Sequence, residues 1–165
     1  MGIGIPFLVA AVAALLQSTL LDFIRIGGSA PDLVLIIIVF TGIKTGPMPA
    51  QVSGFGAGLL EDLMTTAPLG MHALIRTVTG FSFGFVRNKV FLDVVFMPIL
   101  LCTAASVLKA LMLLALTAVF SIESLSGAVF SVRYAIEIGY TALISPAVFA
   151  GLSRIPALNP RRTYL

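Results

Sequence analysis

The sequence predicts an all-α polytopic membrane protein, a single bundle of six transmembrane helices over residues 1–165. Three observations predict it. First, 59% of the residues are hydrophobic and only 10% are charged, with a mean hydropathy of +1.11. About a quarter of a typical globular sequence is charged, so the solvent for most of this chain is expected to be lipid. Second, a helix crossing the hydrocarbon core takes about 20 mostly apolar residues, and 165 residues hold about six such helices with short connections. That leaves no room for a soluble domain. Third, runs such as Leu33 to Phe40 are continuously apolar, whereas the strands of a closed barrel alternate apolar and polar residues.

Apolar runs read against turn residues give the elements in order. The first helix covers about 3–21 and ends at Asp22 and the Arg25-Ile-Gly27-Gly28-Ser29 turn. It lacks the Lys/Arg-rich start of a signal peptide, and Ala11-Val-Ala13 runs on into further apolar residues, so it is expected to be retained. The second covers about 31–43, with Pro31 in its first turn, where a missing N–H is tolerated. Gly46-Pro47-Met-Pro49 breaks the chain, and the remaining helices cover about 50–64, 70–86, 94–120 and 129–152, followed by a tail at 153–165. Cys102 is the only cysteine, which excludes an intrachain disulfide and a cysteine metal cluster.

Lysine and arginine set the orientation. With six spans, Lys44, Arg87, Lys89, Arg154, Arg161 and Arg162 share one side and Arg25 and Arg133 the other, which places both termini and the tail in the cytoplasm. Asp22, Asp32, Glu61, Asp62 and Glu123 fall on or near the outer side, and Asp93 inside. A five-span arrangement would carry Arg154, Arg161 and Arg162 to the wrong face. The Arg161-Arg162 pair acts either as a topology determinant or as a contact for anionic headgroups, at about 1 kcal/mol per basic residue.

Arg76 and Lys109 lie inside helices rather than loops. Either costs about 2.5–3.5 kcal/mol at mid-membrane on the insertion scale, so each must face the bundle and find a partner. Glu61, Asp62, His72 and Arg76 form the densest polar cluster, across a hairpin whose tip is near Ala67. Asp62 and His72 flank that tip at matching depth, about 7 Å in at 1.5 Å per residue, with Arg76 one turn below His72 on the same face. The cluster reads as a structural salt-bridge network, as a site for a partner protein or lipid headgroup, or as an acid–base site. One histidine and two carboxylates without motif spacing do not make a metal site. Lys109 and Glu137 form a possible further buried pair.

Small residues recur every fourth position in Gly54-Phe-Gly-Ala-Gly58, in Gly80-Phe-Ser-Phe-Gly84 and at Ala10 and Ala14. Such faces let helix backbones approach closely in lipid, within one bundle or between partners. No Walker loop, nucleophile elbow, HExxH pair or dinucleotide fingerprint is present. The polar groups are too sparse for the charged rings of a channel.

The stretch Gly54-Phe-Gly-Ala-Gly58-Leu-Leu-Glu61-Asp62-Leu63, followed by Pro68-Leu-Gly70-Met-His72-Ala-Leu74, closely resembles the signature of the MreD family of bacterial rod shape-determining membrane proteins, and Pro31-Asp32-Leu33 also fits it. The motif covers about residues 31–85, and the rest agrees in length, span number and basic tail. The resemblance implies a non-enzymatic scaffold in the bacterial cytoplasmic membrane, with no catalytic residue, metal or cofactor and no nucleic-acid partner. It would join MreC, the actin-like MreB and the lateral wall-synthesis pair, a SEDS glycosyltransferase and a class B penicillin-binding transpeptidase. It also implies a fold similar to the substrate-binding subunits of energy-coupling-factor transporters. The rival reading is therefore a vitamin-binding transporter subunit that docks its coupling partner through faces such as Ala10 and Ala14. A membrane-embedded enzyme is a third.

Overall fold

The computed structural model describes residues 4–19, 28–87, 95–120, 131–155 and 158. Its helices are α1 (Gly4–Thr19), α2 (Leu33–Thr45), α3 (Pro47–Met64), α4 (Met71–Gly84), α5 (Phe96–Phe120) and α6 (Val132–Ser153). The charged loop residues Asp22, Arg25, Lys89, Asp93, Glu123, Arg161 and Arg162 lie outside the described residues.

Helix α2 is the axis. Every residue from Val34 to Ile43 is buried, and α2 touches each of the other helices. A helix that is apolar all round belongs inside a protein or a membrane, and here it is sheathed by protein. Its start is fixed by Asp32, whose side chain accepts the Leu35 N–H at 2.9 Å, satisfying one of the donors a helix start leaves open. Gln17 on α1 accepts a second, from Val34, at 3.2 Å. Its end is fixed by Gly46, at φ +102°, a region that only glycine enters cheaply. Arg87 donates to the Thr45 carbonyl there at 2.9 Å.

The chain enters α3 directly after Gly46, three residues earlier than the sequence reading placed it. Pro47 occupies the first helical turn, where its N–H is not missed, so the Gly-Pro-Met-Pro segment starts a helix rather than forming a loop. Helices α3 and α4 then pack backbone to backbone. A Cβ added at Gly54 would lie 2.5 Å from the Arg76 carbonyl oxygen, one at Gly58 2.5 Å from Ala73 Cα, and one at Gly80 2.5 Å from the Ala50 oxygen; one at Gly84 would overlap Pro47. The two glycine repeats thus face into one antiparallel seam inside the bundle. Ala10 and Ala14 are also buried, as α1 lies against α2 and α3.

Helix α6 contains Pro146, which cannot donate to the carbonyl four residues before it. That carbonyl, of Ala142, instead accepts the Ser145 hydroxyl at 2.7 Å, the kind of local rescue that tolerates proline in lipid.

The bundle has inverted polarity. On α3, Met48, Val52, Phe55, Leu59 and Leu63 are exposed along one stripe, while Glu61 and Asp62 are buried on the other side. Leu100, Val107, Leu111 and Leu143 continue the apolar exterior over α5 and α6. Among the described residues two helices, α5 and α6, are long and apolar enough to cross a membrane by length and composition, while α1 and α2 are shorter apolar helices. Helix α2, at 13 residues, is about 20 Å long. Because protein surrounds it, its ends need not reach the headgroups.

The seam yields a prediction. Gly58→Ala should destabilise the bundle by about 1–3 kcal/mol, the usual penalty for overpacking, whereas Gly139→Ala should leave stability unchanged or slightly raised, since nothing lies within 4 Å of its added Cβ. Thermal unfolding of the detergent-purified variants, followed by size exclusion, checks both. Equal melting of the two variants contradicts the seam.

Candidate functional site

The α3–α4 turn, Thr65 to Gly70, marks one end of the bundle, and the charged residues gather just below it. Asp62 sits in the last turn of α3 with its carboxylate directed at the start of α4. It accepts N–H groups from Gly70 and His72 at 2.9 Å and from Ala73 at 3.1 Å. The residue before α4 is Gly70, which has no side chain to cap it, so the preceding helix supplies the cap. The Nδ1 of His72 lies 2.9 Å from the same carboxylate.

Asp62 therefore has no oxygen to spare for Arg76, and the cluster expected as one network is two. The second centres on Arg76, which is 2% exposed. Its Nε and Nη2 donate to the two oxygens of Glu61, each at 2.9 Å. Its Nη1 and Nη2 reach the two oxygens of Asp32 at 2.9 and 2.8 Å. A guanidinium suits this, being a planar fork that binds carboxylates through paired bonds.

Asp32 passes the network onward. Lys109 on α5 donates to its Oδ2 at 2.7 Å and to Glu137 Oε1 on α6 at 2.7 Å. The backbone N–H of Asp32 donates to Thr141 Oγ1 on α6 at 2.9 Å. Lys109 and Glu137 are thus a pair, but one attached through Asp32 to Arg76 and Glu61. One connected set of charges ties the start of α2, the end of α3, the middle of α4, the middle of α5 and the second turn of α6.

Asp32 is the residue that sequence reasoning missed. It was read as an outer-side acid near a helix start, while Arg76 was grouped with Glu61, Asp62 and His72. The signal was present: two cations inside apolar helices require partners, and an aspartate stood at the head of the most apolar helix.

A cavity of about 610 Å³ opens above this network, lined on its charged side by Glu61, Arg76, Lys109, Glu137 and His72, with Arg133 among its other lining residues. Among the described residues, no cluster of three or more His, Cys, Asp or Glu is placed to hold a metal ion. Cys102 is buried, on α5 in the apolar core.

A protein-family model, that of the rod shape-determining protein MreD, matches residues 2–154. Searches of curated proteins and of solved structures returned no match.

The network yields its own prediction. Arg76→Leu should destabilise the bundle by about 3–5 kcal/mol, because removing one partner of a buried pair leaves the others uncompensated. A variant that accumulates and melts like the wild type contradicts the pairing.

Proposed function

The chain belongs to the MreD family of rod shape-determining proteins, whose model takes in residues 2–154, and on that premise we propose that it is a non-enzymatic scaffold of the cell-elongation machinery. In this reading it sits in the bacterial cytoplasmic membrane as a multi-pass bundle with both termini in the cytoplasm. It links MreC and the lateral peptidoglycan synthases, a SEDS glycosyltransferase and a class B penicillin-binding transpeptidase, to MreB. The family is one of shape-determining structural proteins. It needs no cofactor and no nucleic acid in this role.

One observation carries the reading beyond the family match: the buried ionic groups bond to one another across five helices. Asp62 is spent on capping α4, and Arg76 on fixing α2 and α3 to α4. Groups engaged in this way hold a shape. What is left for partners is the outer surface, where exposed apolar side chains cover α1, α3, α5 and α6. Contiguous apolar exposure marks a lipid or protein interface. The vitamin-subunit reading loses the docking face it relied on, since Ala10 and Ala14 are buried.

Two measurements test the proposal. Pull-down from detergent should recover MreC, and through it the synthase pair; recovery instead of an ATPase module with a bound vitamin would overturn the scaffold. For topology, single cysteines are placed at Thr66, which is exposed in the α3–α4 turn, and at Tyr164, with the buried native Cys102 as a silent background. In whole cells an impermeant thiol reagent should label Thr66→Cys and spare Tyr164→Cys. The reverse pattern contradicts the orientation.

A further inference from the structure

The charges that form the floor of the cavity do not balance. Asp32, Glu61 and Glu137 meet only Arg76 and Lys109, three carboxylates against two cations, which leaves one formal negative charge. The excess can be located. Both oxygens of Glu61 are held by Arg76, and both oxygens of Asp32 by Arg76 and Lys109. Glu137 is held at Oε1 alone, so its Oε2 has no partner among the described residues. Its side chain is also the most open of the three, 28% exposed against 10% for Glu61 and 2% for Asp32.

One turn nearer the helix start, on the same face of α6, stands Arg133. It is exposed, lines the cavity, and its guanidinium forms no ion pair with any described residue. Its backbone is anchored, because its carbonyl accepts the Ser29 hydroxyl at 2.7 Å. The side chain passes beside Gly28, where an added Cβ would lie 3.7 Å from Arg133 Nε. Among the described residues the cavity therefore holds an anionic oxygen without a partner and, one helical turn away, a cation without an ion pair. His72, also in its lining, adds an acceptor. In the neutral imidazole whose Nδ1–H donates to Asp62, Nε2 carries the lone pair. Ala14 and Met64 give the cavity apolar wall.

We propose that this cavity binds a small zwitterion, its ammonium seated against Glu137 and His72 and its anionic group held by Arg133, with phosphoethanolamine as the matching chemistry. A simple anion is disfavoured by the net negative floor, and a simple cation leaves Arg133 unused. A primary ammonium offers N–H donors to the carboxylate and the imidazole, which a quaternary ammonium cannot. The ethanolamine spacer is short enough to bridge side chains one turn apart, about 5–6 Å between Cβ atoms. A volume of about 610 Å³ falls within the range of small-molecule sites, roughly 300–1,000 Å³. The same headgroup reaches the site either on a phospholipid or as a free soluble zwitterion. The inference does not depend on the scaffold reading.

The test uses the full-length chain in an uncharged detergent, titrated with short-chain phosphatidylethanolamine, phosphatidylcholine and phosphatidylglycerol and with soluble glycerophosphoethanolamine. Binding is read by native mass spectrometry and isothermal calorimetry. Phosphatidylethanolamine should bind saturably, with phosphatidylcholine and phosphatidylglycerol weaker by roughly tenfold or more, the worth of a charge-assisted hydrogen bond. Arg133→Gln should weaken it by a similar factor while melting like wild type; Glu137→Gln should weaken it as well, with its melting recorded separately because Glu137 also pairs with Lys109. If Glu137→Gln fails to fold, Arg133→Gln on the exposed rim carries the test alone. Glycerophosphoethanolamine binding as tightly as the lipid identifies a free zwitterion, and much weaker binding identifies a lipid headgroup; both support the site. Phosphatidylglycerol binding as well as phosphatidylethanolamine, an Arg133→Gln protein with wild-type affinity, or no saturable binding of any probe would overturn it.

Discussion

A single carboxylate, that of Asp32, joins the two halves of this bundle. It caps α2 through Leu35, pairs with Arg76 on α4 and pairs with Lys109 on α5. Its own N–H is held by Thr141 on α6. Lipid offers little drive for apolar helices to associate with one another, since its tails are as apolar as they are. A polar group inside must then be paired or expelled. The Asp32 network turns that penalty into register: each charged residue is satisfied only when its helix sits at one height and one rotation. Buried ion pairs are weak evidence for net stability, so the specific content here is alignment, set by Arg76 binding two carboxylates on two other helices.

Packing supplies what charge does not. Along α3 and α4 the glycines bring the backbones together, so that a Cβ added at Gly54, Gly58, Gly80 or Gly84 would meet main-chain atoms of the facing helix. That closeness lets the Asp62 carboxylate reach three N–H groups at the start of the facing helix. The seam and the cap thus depend on each other. The α3–α4 hairpin is consequently a closely packed unit that meets α5 and α6 chiefly through α2 and the charges above it. The other faces of these helices are apolar and exposed, which leaves the outside free to meet lipid or partner helices while the interior keeps its shape.

Helical class and polar clustering were legible because both follow from local rules. Apolar runs without alternation cannot form a barrel, and Arg76 and Lys109 could not remain unpaired. Depth counting along the hairpin put Asp62 level with His72, and they lie 2.9 Å apart. The same counting could not decide which carboxylate Arg76 would take. That depended on the α4 start lacking a side-chain cap and so claiming Asp62. Asp32 escaped notice because its partners lie 44 and 77 residues away, a distance only tertiary packing closes. The cavity was illegible for the same reason, as a void between α1, the α3 end and the α6 start has no signature in any one segment. The length of α2 was legible, 13 residues in both readings, but it begins two residues later than the apolar run suggested, at Leu33, because Asp32 is taken as its cap.

The central claim, that Asp32 couples the α3–α4 hairpin to the α5–α6 pair, is tested most directly by a double-mutant cycle between Asp32→Asn and Lys109→Met, with thermodynamic stability measured in detergent for both single variants and the double. Residues in one ion-pair network show interaction energies of about 0.5–3 kcal/mol. The account predicts a value in the upper half of that range, with the double variant less damaged than the sum of the singles. Additivity within about 0.5 kcal/mol, the behaviour of independent sites, would contradict it.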